Sequence, residues 1–193
     1  MAKTASTMLE LGTAAPDFSL PDVVTGETIS LVSFNDRKAL LVMFICRHCP
    51  FVKHIQHELA RIGLDYADKG VGIVAICSND IAISTGDTPA DLKAMAEEQG
   101  FSFPFCYDES QQTAKAFEAA CTPDFYLFDK SRKLVYRGQL DDSRPGNDIP
   151  VTGSDLRAAM YAVLEDQSVN TNQKPSIGCN IKWRAGNGPR YAQ

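Results

Sequence analysis

Three short apolar runs divide the chain: Ala39 to Ile45, Val71 to Cys77 and Phe125 to Phe128. Runs of this length, uncharged and bounded by polar residues, read as buried strands. After the first, Val52, Ile55, Leu59, Ile62 and Tyr66 recur at steps of three and four. That spacing predicts a helix from about Cys49 to Asp68, closed by Gly70, with His54, His57, Glu58, Arg61 and Asp65 on its outer face. Thr88-Pro89-Ala90-Asp91 combines a capping Thr, a Pro at the first helical position and an early acid, so a second helix should run from there to Gly100. The segment Phe103 to Tyr107 contains Pro104 and is at most an edge strand, followed by a helix around Gln111 to Ala120.

Two hairpins complete the pattern. Ala15 to Asp22 and Glu27 to Leu31 flank Thr25-Gly26, and Phe125 to Phe128 and Leu134 to Arg137 flank the turn 129–133. A last helix starts at Thr152-Gly153-Ser154-Asp155 and presents Leu156, Ala159, Met160 and Val163 on one face. The order implies an α/β fold, a mixed central sheet with helices on both faces. Residues 1–10 read as a loose lead-in, 11–166 as the domain and 167–193 as an extended tail. The tail is polar, yet Ser176 to Trp183 holds the only Trp and a cysteine, so it is expected to dock on the domain.

Composition narrows the function classes. With 44% apolar and 22% charged residues the chain resembles an ordinary globular protein, and a net charge of −5 argues against nucleic acid or an anionic membrane as partner. No apolar run approaches the roughly 20 residues of a membrane span. The first residues lack a hydrophobic signal core, which predicts a cytoplasmic protein. The six cysteines are not spaced like a secreted disulfide framework, so a Cys-x-x-Cys here reads as catalytic or metal-binding.

That motif is Cys46-Arg47-His48-Cys49-Pro50, at the junction of the first buried strand and the first helix. Two thiols at this spacing suit dithiol–disulfide exchange: one attacks, and the second resolves the mixed disulfide. Cys46 is expected to carry the lowered pKa, since the helix start, Arg47 and His48 all favour its thiolate. Cys49, further into the helix, takes the resolving role. Arg47 and His48 should also raise the reduction potential above that of thioredoxin, which lies about 150 mV below DsbA.

Other readings are weaker. A zinc site would need His54 and a fourth ligand, and no second Cys-x-x-Cys or His pair exists. His54 and His57 read as solvated helix-face residues, and Cys77 and Cys106 as buried fillers. Cys179 either packs beside Ile177 and Ile181 or reaches Cys46 as a third redox thiol.

The element order, Cys46-x-x-Cys49-Pro50 and the pair Thr122-Pro123 resemble the thioredoxin superfamily. Ala15-Pro16-Asp17-Phe18 and the first hairpin resemble its AhpC/TSA–TlpA, redoxin-like branch. Cys49 to Lys53 and Pro175 to Trp183 are similar to a group of bacterial thioredoxin-family proteins. The resemblance implies a thioredoxin-like fold, a cis peptide before Pro123 facing the cysteines, and a client groove shaped by Thr122 and Pro123. It puts Cys121 near the pair as a possible further redox thiol.

The implied activity is thiol–disulfide exchange with protein or small-molecule thiols, without a bound cofactor or metal, served by an unidentified reductase or oxidant. The strand Ala39 to Ile45 lacks the buried Asp of thioredoxins, leaving Glu58, Asp124 or water to assist the resolving thiol. All three histidines lie within or just beyond the motif, against a copper-chaperone role. The rivals are a peroxiredoxin-like peroxidase using Cys46, whose Pro-x-x-x-Thr-x-x-Cys register fits neither cysteine, and a binding module without turnover.

Overall fold

The computed structural model describes residues 3–192. In chain order its elements are β1 (Lys3–Ala5), β2 (Ser19–Pro21), β3 (Thr28–Ser30), β4 (Ala39–Phe44), α1 (Pro50–Tyr66), β5 (Val71–Cys77), α2 (Pro89–Gln99), β6 (Phe105–Tyr107), α3 (Gln112–Ala116), β7 (Cys121–Thr122), β8 (Asp124–Phe128), β9 (Leu134–Gly138), α4 (Ser154–Leu164) and β10 (Ile177–Asn180). The central sheet has the order β6-β5-β4-β8-β9, with β4–β5 and β5–β6 parallel and β4–β8 and β8–β9 antiparallel. Each residue of β4, β5 and β8 is buried, as uninterrupted apolar strands covered on both faces should be.

Alternation along the strands sorts the core into two layers. Leu41, Met43 and Ile45 face α1, α2 and α4 through Val52, Leu59, Leu92, Met95, Leu156 and Met160. Leu40, Val42 and Phe44 face the other way, towards Phe18, Phe34, Ala114 and Phe117, where Phe117 stands edge-on to Phe44, Tyr126 and Phe128. The first hairpin forms as β2–β3. In α2, Thr88 and Asp91 cap each other reciprocally, and Gly100 stops the helix at φ +66°, a conformation that suits a residue without Cβ.

Several boundaries differ from the sequence reading. Residues 3–5, read as loose lead-in, form β1 because they pair antiparallel with β10, a partner 172 or more residues distant that local pattern cannot reveal (Ala5 opposite Ile177). Helix α3 is only five residues long. Helix α1 begins at Pro50, with Cys49 as its extended N-cap residue. Glu58 is buried rather than solvated, held by Arg157 at 2.7 Å and Arg61 at 3.2 Å.

The tail forms the middle of a second, three-stranded sheet, β1-β10-β7, with Cys179 opposite Thr122 and Asn180 opposite Cys121. Gly178 makes this possible: a Cβ there would lie 1.9 Å from the Thr122 carbonyl oxygen. No helix among the described residues is long and apolar enough to cross a membrane.

Candidate active site

The parallel pairing of β4 with β5 sets the site's location. Both strands end at the same edge of the sheet, so the segment after Cys77 emerges beside the segment holding Cys46 to Cys49. The peptide between Thr122 and Pro123 is cis, and it brings β7 and the tail strand to the same place.

Cys46 and Cys49 are both fully buried, and all six cysteines are thiols. Cys46 Sγ lies 3.3 Å from Thr122 Oγ1 and 3.7 Å from His48 Nδ1. Cys49 Sγ lies 3.2 Å from the Thr122 carbonyl oxygen and 2.9 Å from Cys179 Sγ. Cys179 therefore belongs to the site, next to Cys49 rather than Cys46. Cys179 is packed in the core as expected of a small hydrophobe, but in the layer of the cysteine pair and not beside Ile177, which is exposed, or Ile181, which joins the opposite layer. Cys121 is buried too, but its sulfur contacts the Pro123 carbonyl oxygen at 3.7 Å, and burial pushes its thiol up.

The two thiols are shifted in opposite directions, each chiefly by the other. The Cys46 thiol is raised well above its ordinary value by its hydrogen bond to Cys49, by burial and by the neighbouring Asp87 carboxylate. The Cys49 thiol is brought down to about 5 chiefly by the hydrogen bond from Cys46, against burial, with help from Cys179 and the Val52 amide. Two features of the surroundings differ from what the motif suggested. Cys49, not Cys46, is the N-cap residue of α1, although its side chain makes no capping hydrogen bond. Arg47 turns away, donating to the Asp91 carbonyl at 2.9 Å and to Glu98 at 3.0 Å.

His48 is tied to Asp87 through Nδ1, and an ionised carboxylate only accepts, which places the shared proton on the imidazole. Asp87 also accepts from the amides of Arg47 (2.8 Å) and His48 (3.2 Å), from Ser84 Oγ (2.6 Å) and from Asn79 Nδ2 (2.8 Å). Burial alone would raise this carboxyl, but the bonds from His48, Ser84 and Asn79 outweigh it and hold it at about 2. Asp87 thus fixes the path of the backbone between the two cysteines while placing a negative charge beside Cys46.

Asp87, Ser84 and Asn79 escaped the sequence reading because they lie 30 or more residues beyond Cys49 in sequence. The available signal was a polar segment leaving a buried parallel strand at the same sheet edge as Cys46.

Neither proposed substitute for the thioredoxin Asp serves the thiols. Glu58 is taken up by its two arginines. Asp124 is pushed up to about 8 by burial, and it bonds Tyr126 Oη at 2.9 Å on the sheet face opposite the cysteines. The donor atoms of Cys46, His48 and Asp87 lie within 4.8 Å of one another, a set that could contribute three metal ligands. His54, which a zinc site was expected to recruit, instead meets Ser143 Oγ at 2.7 Å and is partly buried, while His57 is exposed.

A family model described as Redoxin matches residues 10–156, well over half of the chain. The chain belongs to the Redoxin family. Its core is the thioredoxin-like sheet described above, and the β1–β10 pair lies outside the matched span. This redoxin is 55% identical to an uncharacterized conserved protein from Geobacillus kaustophilus, with a TM-score of 0.93 over 95% of this chain and 97% of that one. It is 52% identical to a hypothetical protein from Sinorhizobium meliloti 1021, again with a TM-score of 0.93, covering 95% and 100% of the two chains. A curated relative, thiol-disulfide oxidoreductase ResA of Geobacillus thermodenitrificans (strain NG80-2), is 27% identical over 133 residues, 68% of this chain and 70% of that protein.

Proposed function

We propose that this redoxin is a thiol–disulfide oxidoreductase that exchanges a Cys46–Cys49 disulfide with thiols of proteins or small molecules. The observation that carries the reading is the geometry of the pair: Cys46 and Cys49 meet at the strand-to-helix junction against Thr122, at 3.3 Å and 3.2 Å, and neighbouring groups shift their thiols in opposite directions, Cys46 up and Cys49 down. In an exchange, the sulfur that forms the better thiolate is the better leaving group. A client thiolate attacking the oxidised pair forms its bond to Cys46 Sγ, and the electron pair of the broken bond leaves on Cys49 Sγ. Then either Cys49 attacks Cys46 Sγ and expels the client, or a second client thiolate attacks the client's sulfur in the mixed disulfide, forming the client disulfide as the electron pair leaves on Cys46 Sγ.

The same asymmetry favours the reduced form of the protein and hence oxidation of clients. The oxidising bias first ascribed to Arg47 and His48 is supported through Cys49 instead. Asp87 and His48 are positioning residues that fix the turn between the sulfurs. Pro123 lines a small surface cavity together with Phe51, His54 and Ile177. The Thr122 backbone, which the family resemblance offers to a client, is paired with the protein's own strand β10. A peroxidase role for Cys46 has less support, because a protonated thiol is a poor nucleophile towards peroxide. The cytoplasm, where a reducing thiol pool would oppose the pair, remains the proposed location.

The test is a trap. In Cys49→Ser the mixed disulfide on Cys46 cannot resolve, so Cys46-linked clients should accumulate in a lysate and be identified by mass spectrometry, whereas Cys46→Ser should accumulate none there. Rapid peroxide consumption with no trapped client would overturn the exchange reading in favour of a peroxidase.

A further inference from the structure

Strand β10 is gripped along both edges at the position that matters. Cys179 lies opposite Thr122 of β7 on one side and opposite Lys3 of β1 on the other. Its neighbour Gly178 lets the tail approach the Thr122 carbonyl more closely than any side chain would permit. The outcome is a sulfur, buried with Cys46 and Cys49 in one core layer, 2.9 Å from Cys49 Sγ. A disulfide bond is about 2.04 Å long, so a movement of about 0.9 Å would join the two. A cysteine serving only to fill space has no need of this register.

We propose that Cys179 is a third redox-active thiol, and that Cys49 is shared between two alternative disulfides, Cys46–Cys49 and Cys49–Cys179. This rests on the exchange reading for its first disulfide and adds a second, internal step. Burial pushes the Cys179 thiol up to about 12, so in the oxidised protein its proton leaves as its sulfur attacks Cys49 Sγ. The Cys49–Cys179 bond forms as the Cys46–Cys49 bond breaks, and the electron pair leaves on Cys46 Sγ, which takes up a proton. No electrons are gained or lost overall, so the step needs no outside oxidant. It moves the oxidising equivalent from the Cys46–Cys49 pair to Cys49–Cys179 and ties the tail covalently to the N-cap of α1. While the bond is there, Cys46 is a thiol and cannot oxidise a client; reversal of the step restores the competent disulfide.

The test oxidises the full-length protein with oxidised glutathione, quenches it in acid, alkylates it and maps its disulfides without reduction. In Cys46→Ser, Cys49 and Cys179 should pair with each other in most molecules. In the unsubstituted protein both disulfides should be found, with Cys49–Cys179 in at least about a tenth of molecules, a ratio equivalent to about 30 mV between the two couples. Cys46→Ser with Cys49 glutathionylated and Cys179 alkylated, together with only Cys46–Cys49 in the unsubstituted protein, would overturn the third-thiol proposal and leave the exchange reading intact. If Cys46→Ser fails to fold, the map of the unsubstituted protein decides alone. Cys49–Cys179 as the sole disulfide there, with no client trapped on Cys46, would support the third thiol and sink the exchange reading.

Discussion

Cys46 and Cys49 are separated by two residues and surrounded by different chemistry. Around Cys46 stand the Asp87 carboxylate, His48 locked to that carboxylate, and a Thr hydroxyl. Around Cys49 stand the Val52 amide, the Thr122 carbonyl and the sulfurs of Cys46 and Cys179. One region is built to hold a loop in place and the other to hold a negative charge. The two thiols differ less in burial than in what their neighbours donate. A Cys-x-x-Cys spacing therefore identifies a redox pair without saying which sulfur bears the charge.

The largest effect is expected from separating the tail from the Cys49 side. Gly178→Ala puts a methyl group into the Thr122 carbonyl, so β10 cannot keep its register. A loss of about 3 kcal/mol of stability is expected, read as a lower thermal midpoint, with faster alkylation of Cys179 in the native protein. An unchanged midpoint and a protected Cys179 would show that the tail is not held as described.

A smaller effect should come from the Cys46 side. Asp87 has a folded-state pKa of about 2, below its unfolded value. Its contribution is thus present above about pH 4 and lost as the pH falls through 2. Asp87→Asn should cost about 2 kcal/mol at neutral pH, and the difference from the unsubstituted protein should shrink in acid below pH 4. A difference that stays constant down to pH 2 would mean that the charge of Asp87 is not what stabilises the loop.

Much of the framework was legible in the chain. The apolar runs located β4, β5 and β8, the Thr88–Asp91 cap located the start of α2, and Thr122-Pro123 marked the cis peptide through family resemblance. Local pattern carries such features because each depends on a few consecutive residues. The isolated cluster around Cys179 and Trp183 signalled a role for the tail, but not the neighbour that its sulfur would meet.

What stayed hidden depends on distant contacts. Asp87 reaches Cys46 only because β4 and β5 run parallel, and Lys3 to Ala5 become a strand only because β10 lies beside them. The charges of Arg47 and His48 looked available from sequence. In the folded protein Arg47 is bound to α2 and His48 to Asp87, so neither favours the Cys46 thiolate as their position in the motif suggested.

The placement of the charge can be measured at each sulfur by following the 13Cβ resonances of Cys46 and Cys49 in the reduced protein from pH 3 to pH 10. The Cys49 resonance should carry the main shift of the coupled pair with an apparent midpoint near 5, while Cys46 remains protonated through neutral pH. A main shift at low pH on Cys46, with Cys49 titrating only in alkali, would contradict the assignment of the thiolate to Cys49.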